Sequence, residues 1–592
     1  MQGYKAPIED LYFAITQLAD LKKYSDMLKN EDIEPSNIKT IMEEAGKFAS
    51  DILDPINVLG DIKGTKLENG MVRMPQEFID AFKKYVQNGW NTVLGDTNYG
   101  GQNMPWMAIM ALNEIWESAN MSFAVNTMLT QGAVELIHQY GSKDQKNNYL
   151  PQMISGEWTG TMNLTEPQAG SDLSLLKSKA EPFKDKYKIY GTKIYITHGD
   201  QDMSENIIHL VLARLPNSPK GIKGISLFIV PKYYADKNNK LTNKNDIRVV
   251  STEHKLGMSA SPTCVMAFGD KDGAIGELIG KPNEGLKAMF SMMNNARLNV
   301  GVQGIAIAER AYQKALNFSR DRMQGNPIEN PSKGTVSIIH HPDVKRMLME
   351  MKSQIEAMRG LSIIASETLD ISNNHTNEEI RREKSNLLEI LTPVFKSWCT
   401  DQAVLITSLG IQIHGGMGFI EDTGAAQYYR DARILPIYEG TNGIQALDLL
   451  RRKLSYDNGK PFKKLLNDIK AISDSCLKTQ NSDLNIIGLN LKEACDKVYE
   501  ASEWLIDNYK TSPEKAAAGA TPFCNMLGWT LGGWIMAMSA KKAISIIDKD
   551  INNLFAKEKV ETACFYSITY LPIASAMIGA VKSSHKSLSY IK

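Results

Sequence analysis

The order of hydropathy patterns along the chain predicts an α+β multidomain protein. It has an N-terminal helical domain, a middle antiparallel β domain, a helical bundle and an extra C-terminal all-α domain. Two observations carry this. Apolar residues recur at helical spacing through residues 1–155 and again from 283 onward. Between them lie short β-branched runs separated by Gly, Asn, Asp and Pro, with no long helical pattern interrupting, which favours an antiparallel sheet over alternating βαβ units. A chain of 592 residues has ample length for several domains and a sizeable core.

Each region has its own signal. IKTIMEEAGKFASDIL, EFIDAFKKYVQNGW and WMAIMALNEIWESANMSFAVNTML are amphipathic or apolar helices, broken by DTNYGGQNMP at 96–105. The runs KYKIYGTKIYITHG, ENIIHLVLARL, KGISLFIVP and TCVMAFG place strands within 156–282. Helices return over 283–454, interrupted by the insert QGNPIENPSKGT (324–335) and a polar connection at 374–382. After the linker SYDNGKP the block 455–592 reads as helix throughout.

Composition excludes several classes. Lys plus Arg and Asp plus Glu are 67 each, so there is no basic excess for nucleic acid. Six scattered cysteines without a CxxC pair argue against a disulfide framework or a zinc site, and no metal is expected. The opening MQGYKAPIEDLYFAITQ lacks the basic and apolar regions of a secretory signal, so a cytoplasmic protein is expected. TPFCNMLGWTLGGWIMAMSA (521–540) carries no charge and is long enough to span a bilayer, but its Gly and Pro content favours a buried helix over membrane contact.

No GxGxxG follows a strand, and no GxxxxGK[ST], HExxH or serine-nucleophile elbow is present. MNLTEPQAGSDLSLLK (162–177) gathers Thr165, Gly170, Ser171 and Asp172 in a loop suited to polar ring edges or phosphate oxygens, or to an ordinary connection turned by Pro167. In GTKIYITHG, Tyr195 and Thr197 share one strand face, which suits a planar cofactor or a plain core contact. IQIHGGMGF ends a helix in glycines that allow close approach or merely a C-cap, and His414 reads as a packed residue. Glu439, in RDARILPIYEGTNGIQALDLL, precedes a helix whose N-cap is Thr441 or Asn442. It is either a helix-start charge or, in the apolar setting suggested by Ile437, Tyr438 and Ile444, a base of raised pKa. Local physics leaves both readings open.

Taken together, LTEPQAGSD, GTKIYIT, the Arg297 helix, QIHGGMGF and RDARILPIYEGT resemble, in order over residues 35–453, the acyl-CoA dehydrogenases. The opening and the C-terminal block resemble the family's long-form bacterial members. The resemblance implies FAD as cofactor and Glu439 as the base that removes the α-proton of an acyl-CoA, the β-hydride passing to flavin N5 to leave a trans-2-enoyl-CoA. It implies that Met162, Leu164 and Thr165 line the flavin, with Gly170 and Ser171 beside it, Tyr195 on its face where the family usually has Trp, Thr197 near N5, and Thr441 in contact. Ser171, Asn294, Arg297, Glu439 and Gly440 would meet the substrate. Arg322 would reach the pyrophosphate, and Gln412, Gly415 and Gly416 the ADP half of a neighbouring subunit's FAD. A homo-oligomer, by analogy with long forms a dimer, and an electron-transfer flavoprotein as electron acceptor follow from the same resemblance.

Two departures touch the adenine end: RDRMQG stands for the family's R-x-x-F-G, and Gly443 replaces a common Gln. For substrate, the resemblance points to long-form members that act on 3-methylmercaptopropionyl-CoA in sulfoniopropionate (DMSP) degradation, with the short- and medium-chain fatty acyl-CoAs of β-oxidation as the alternative. No residue decides between them. An acyl-CoA oxidase or a non-catalytic relative is the reading from another class.

Overall fold

The structure, a computed structural model, describes residues 3–236 and 238–591. It divides into two compact units: Phe48–Pro105 with Ala119–Asn299, and the chain up to Lys47 with Trp106–Ser118 and the chain from Val300. The helices that matter below are α1 (Trp106–Tyr140), α2 (Gly285–Asp321), α3 (Pro342–Asn374), α4 (Glu378–His414), α5 (Asn442–Asp448), α6 (Lys460–Leu477), α7 (Ser482–Thr511), α8 (Pro513–Ile547) and α9 (Leu554–Ala576). The strands are β1 (Trp158–Asn163), β2 (Lys179–Phe183), β3 (Lys186–Thr197), β4 (Asn206–Arg214), β5 (Ile225–Pro231), β6 (Ile247–Thr252), β7 (Thr263–Phe268) and β8 (Ala274–Ile279).

In the first unit an eight-stranded sheet runs β6-β7-β3-β8-β5-β4-β1, with β2 pairing β3 and β4. The pairings are antiparallel, as the sequence predicts, except those of β1 and β2 with β4. The chain passes through β2 and β3 between β1 and β4, a crossover long enough to bring the two strands parallel. β4 is apolar between its ends apart from the buried His209, because both its faces are covered. Ile208, Leu210 and Leu212 pack with Ala133 and Val134 of α1, and Val211 and Ala213 with Phe228, Val249 and Met266.

Helix α1 is interrupted at Asn120 (φ −157°, ψ 93°). The Asn120 side chain re-caps the second segment, accepting from Phe123 N at 3.1 Å and donating to Leu53 O at 3.2 Å. A short hairpin, Lys66–Glu68 with Met71–Arg73, lies within the region that reads as helical. Strands this short carry no legible periodicity, and what fixes them is distant: Asp200 and Asp202 accept from the backbone N–H of Val72 and Met74.

In the second unit α3 and α4 are long antiparallel neighbours. The polar stretch 374–382 is non-helical only at 375–377, where Asn377 caps α4. Asp370 on α3 accepts from Trp106 N and Met107 N, capping the start of α1. A buried Arg359 on α3 donates to Glu114 of α1 and Glu309 of α2. Lys559 of α9 pairs with Glu356 and with Asp10, tying the N-terminal segment, the bundle and the C-terminal block together.

The uncharged segment 521–540 is the buried middle of α8. Its three glycines are sites of close approach. A Cβ would stand 2.4 Å from Trp398 at Gly528, 2.1 Å from the Tyr566 hydroxyl at Gly532 and 2.4 Å from Leu571 at Gly533. Among the described residues one helix, Leu554–Leu588, and not this segment, is long and apolar enough to cross a membrane by length and composition. Gly532→Ala is expected to cost about 1–3 kcal/mol by overpacking against Tyr566, read as a lower melting temperature by circular dichroism with secondary structure retained. An unchanged melting temperature would show that α8 is not held this closely.

Candidate active site

Glu439 stands in a loop braced from beneath. Its φ is +54° and that of Gly440 is +83°, two successive left-handed residues. For a glutamate this conformation is strained and persists only where its surroundings hold it. The turn presents the Glu439 and Gly440 carbonyls to Gln445, whose amide donates to both at 3.3 Å. The ammonium of Lys396, fully buried on α4, donates to Gly440 O at 3.0 Å and to Asn442 Oδ1 at 2.8 Å. Asn442 in turn donates to Asp401 at 2.7 Å. On the other side the Tyr438 hydroxyl donates to Gln303 of α2. Burial, then the nearby Glu117 and Glu439 carboxyls, push that phenol well above its ordinary pKa.

Thr441 is the N-cap of α5, accepting from Ile444 N at 3.3 Å. Ile437 and Ile444, which the sequence places around the acid, are half-exposed, so the apolar side of the loop is the Tyr438 side.

In the sheet unit the loop after β1 is organised by Glu166. It accepts from Lys177 N at 2.7 Å and Ser178 N at 3.0 Å, and pairs with the buried Lys193 of β3 at 2.9 Å. Lys193 also donates to Leu164 O, and Ile194 N donates to Thr165 O at 2.9 Å, so the 164–166 segment lies along β3. Burial alone would raise the Glu166 pKa; Lys193 and the donors at 177–178 outweigh it and bring it from the ordinary 4.5 down to about 2.

Directly after Lys193 the β3–β7 register shifts, and Tyr195 takes φ +59° in the resulting bulge. Alternation still holds over 195–197: Ile196 is buried, Tyr195 is 62% exposed and Thr197 is half-buried. The hydroxyls of Thr165, Ser171 and Thr197 make no hydrogen bond among the described residues, and Gly170 and Ser171 are exposed. Met162 and Leu164 are partly buried against the helical face of the sheet. On α2, Arg297 is buried and donates to Asn294 Oδ1 at 3.3 Å.

At the far end of α2, Arg322 is exposed; at the end of α4, so are Gln412, Gly415 and Gly416. Gly415 turns the chain with φ +58°, and His414 is a packing residue, stacked on Phe318 at 4.4 Å and bonded to Gly410 O. Most of the predicted residues thus gather into three groups: Met162, Leu164, Thr165, Gly170, Ser171, Tyr195 and Thr197 around β1 and β3; Glu439, Gly440 and Thr441 before α5; and Gln412, Gly415 and Gly416 at the tip of α4, while Asn294 and Arg297 lie on α2 and Arg322 just after it. Sequence reasoning missed Glu166, Lys193, Lys396, Gln445 and Gln303. The one signal for the lysines was a cation inside an otherwise apolar stretch, as in TPVFKSWC.

Family models describe the same chain as Acyl-CoA dehydrogenase N-terminal domain (38–157), middle domain (161–270) and C-terminal domain (283–454), followed by Acetyl-CoA dehydrogenase C-terminal like (465–591). The chain is 42% identical to 3-methylmercaptopropionyl-CoA dehydrogenase of Ruegeria pomeroyi, covering 99% of each chain. It belongs to the acyl-CoA dehydrogenase family. A butyryl-CoA dehydrogenase of Syntrophomonas wolfei is 31% identical over 98% of this chain and 97% of that one. The acyl-CoA dehydrogenase of Bacillus anthracis, solved in complex with FAD, shares the fold with a TM-score of 0.74 and 20% identity over 94% and 89% of the two chains. As a member of this family the protein is an FAD-dependent oxidoreductase that dehydrogenates an acyl-CoA between its α and β carbons.

Glu166→Gln in this acyl-CoA dehydrogenase leaves the Lys193 ammonium buried without its anion, an expected cost of about 3–5 kcal/mol. Because the folded-state pKa of Glu166 is depressed, its stabilisation is present above about pH 4.5 and is lost as pH falls towards 2. Acid titrations of stability should therefore be shallower in the variant than in the wild type over that window. Superimposable titrations would mean that Glu166 is not held ionised.

Proposed function

We propose that the protein oxidises 3-methylmercaptopropionyl-CoA to methylthioacryloyl-CoA in the cytoplasm, as a step of DMSP degradation, with Glu439 as the catalytic base. The identity over the full chain to the Ruegeria pomeroyi enzyme supports the substrate. The braced left-handed loop supports the base: Glu439 removes the α-proton, and its backbone N–H polarises the thioester carbonyl. Asn294, Arg297, Ser171 and Gly440 complete the acyl-CoA contacts.

The residues present fit a flavin. Three uncommitted hydroxyls and one exposed aromatic ring, held in fixed register by the Glu166–Lys193 pair, offer hydrogen bonds to a planar ring edge and a face to stack on it. Met162, Leu164, Thr165, Gly170, Ser171, Tyr195, Thr197 and Thr441 would hold the isoalloxazine. FAD, when bound, supplies the hydride acceptor. Arg322 is exposed, which suits the pyrophosphate, and Gln412, Gly415 and Gly416 are exposed, which suits the ADP half of a partner subunit's FAD and so a homodimer. An electron-transfer flavoprotein is the proposed acceptor, and no membrane contact is required. The butyryl-CoA dehydrogenase relative favours a second reading, a short- or medium-chain fatty acyl-CoA dehydrogenase.

A panel of acyl-CoAs assayed with a ferricenium-type acceptor separates the two. The expected outcome is the highest kcat/KM for 3-methylmercaptopropionyl-CoA, and a higher value for butyryl- or hexanoyl-CoA would select the second reading. Glu439→Gln is expected to bind acyl-CoA yet bleach the flavin at least about a hundredfold more slowly. Peroxide formed stoichiometrically without an acceptor would instead mark an oxidase.

A further inference from the structure

Three buried polar side chains close on one another behind the flavin-lining segment. Thr161 and Asn163 of β1 and His209 of β4 are each 0% exposed. The Asn163 amide donates to Thr161 Oγ1 at 2.9 Å and lies 3.4 Å from His209 Nδ1, which is itself 2.8 Å from Thr161 Oγ1. Phe268 of β7 stands edge-on to the imidazole, 5.8 Å between ring centroids at 87°. His209 is the polar residue set into the otherwise apolar middle of β4. Burial, then the Lys232 ammonium, pushes its pKa down to about 3, so the ring is neutral and the set carries no charge.

The set sits at the last rungs of the β1–β4 ladder. Thr161 lies opposite His209 and Asn163 opposite Val211, after which the pairing stops and the chain leaves as the 164–166 segment. β1 ends the sheet, so ladder hydrogen bonds hold it from one side only. Side chains alternate across a strand. Met162 packs with Leu164 on the helical face, so Thr161 and Asn163 hold the strand from the opposite face. The Glu166–Lys193 pair fixes the far end of the same segment. Leu164 and Thr165 lie between the two anchors, and Met162 within the first. A buried polar group without a partner is costly. An apolar residue at 209 takes away the β4 side chain that both Thr161 and Asn163 meet, and the end of β1 shifts as they find other contacts.

We propose that Thr161, Asn163 and His209 are positioning residues for the flavin: the imidazole on β4 pins the exit of β1 and so sets where Met162, Leu164 and Thr165 stand. The proposal rests on that segment lining the flavin, and it depends neither on the base nor on the acyl substrate.

Holoenzymes of wild type, His209→Leu and His209→Asn are diluted, and the FAD released is read by its fluorescence. The visible circular dichroism of the bound flavin, at saturating FAD, reports the surroundings of the ring, which a loss of stability alone would not move. His209→Leu is expected to weaken FAD binding about tenfold or more and to alter the flavin band. His209→Asn places a neutral amide near the position of Nδ1 and is expected to recover most of both. A Leu variant with the wild-type flavin band, or an Asn variant as impaired as Leu, overturns the proposal. Should the Leu variant not fold, Thr161→Val removes the hydroxyl from the same set at nearly unchanged shape. It is expected to alter the band as well, and an unaltered band overturns the proposal. Thr165→Val, on the segment itself, separates the two readings. An altered band there with wild-type behaviour in His209→Leu overturns this proposal alone. No change in either variant removes the flavin from the segment, and the proposal with it.

Discussion

The Glu439 loop depends on one exchange between a buried ammonium and inward-turned carbonyls. Two consecutive left-handed residues at Glu439 and Gly440 aim backbone oxygens towards the bundle rather than towards water. Buried carbonyls need donors, and a buried lysine needs acceptors. Lys396 and Gln445 supply the donors, Gly440 and Asn442 supply the acceptors, and neither side is satisfied alone. The strain of placing a glutamate at positive φ is carried by that match, which is why the loop can be strained and ordered together.

The sheet unit solves a similar problem in a similar way. Lys193 is buried under the 164–166 segment, bonded to Leu164 O and paired with Glu166, and two residues further on Tyr195 adopts positive φ. In both places a lysine taken out of solvent holds a polar loop, and a strained non-glycine residue lies beside it. The uncommitted hydroxyls of Thr165, Ser171 and Thr197 are exposed or half-buried on that held loop and strand, where ordered side chains lose little freedom on meeting a ligand.

Some of this was legible residue by residue. Thr441 was one of two candidate caps, and it is the cap. The shared face of Tyr195 and Thr197 survives because the bulge ends at Tyr195 and regular pairing resumes at Ile196. The glycines of 521–540 argued for a buried helix, and they prove to be where Trp398, Tyr566 and Leu571 approach the backbone. The rest was hidden for a physical reason. A lysine, arginine or glutamate in a helical pattern looks like a solvated surface group until its partners are known, and the partners of Lys396, Arg359 and Glu309 lie far away in sequence. The hairpin at 66–73 was hidden likewise, since Asp200 and Asp202 hold it.

The sequence by itself determined the fold class and the ordered motifs that mark an acyl-CoA dehydrogenase, because periodicity and turn chemistry are local properties of the chain. It also placed Glu439 at a junction before a helix, but it left a helix-start charge and a base level. Only the tertiary structure decided what surrounds that junction. The left-handed turn before α5 and the ammonium on α4 beneath it come from separate parts of the chain, and burial turns those ordinary polar residues into the frame of a site.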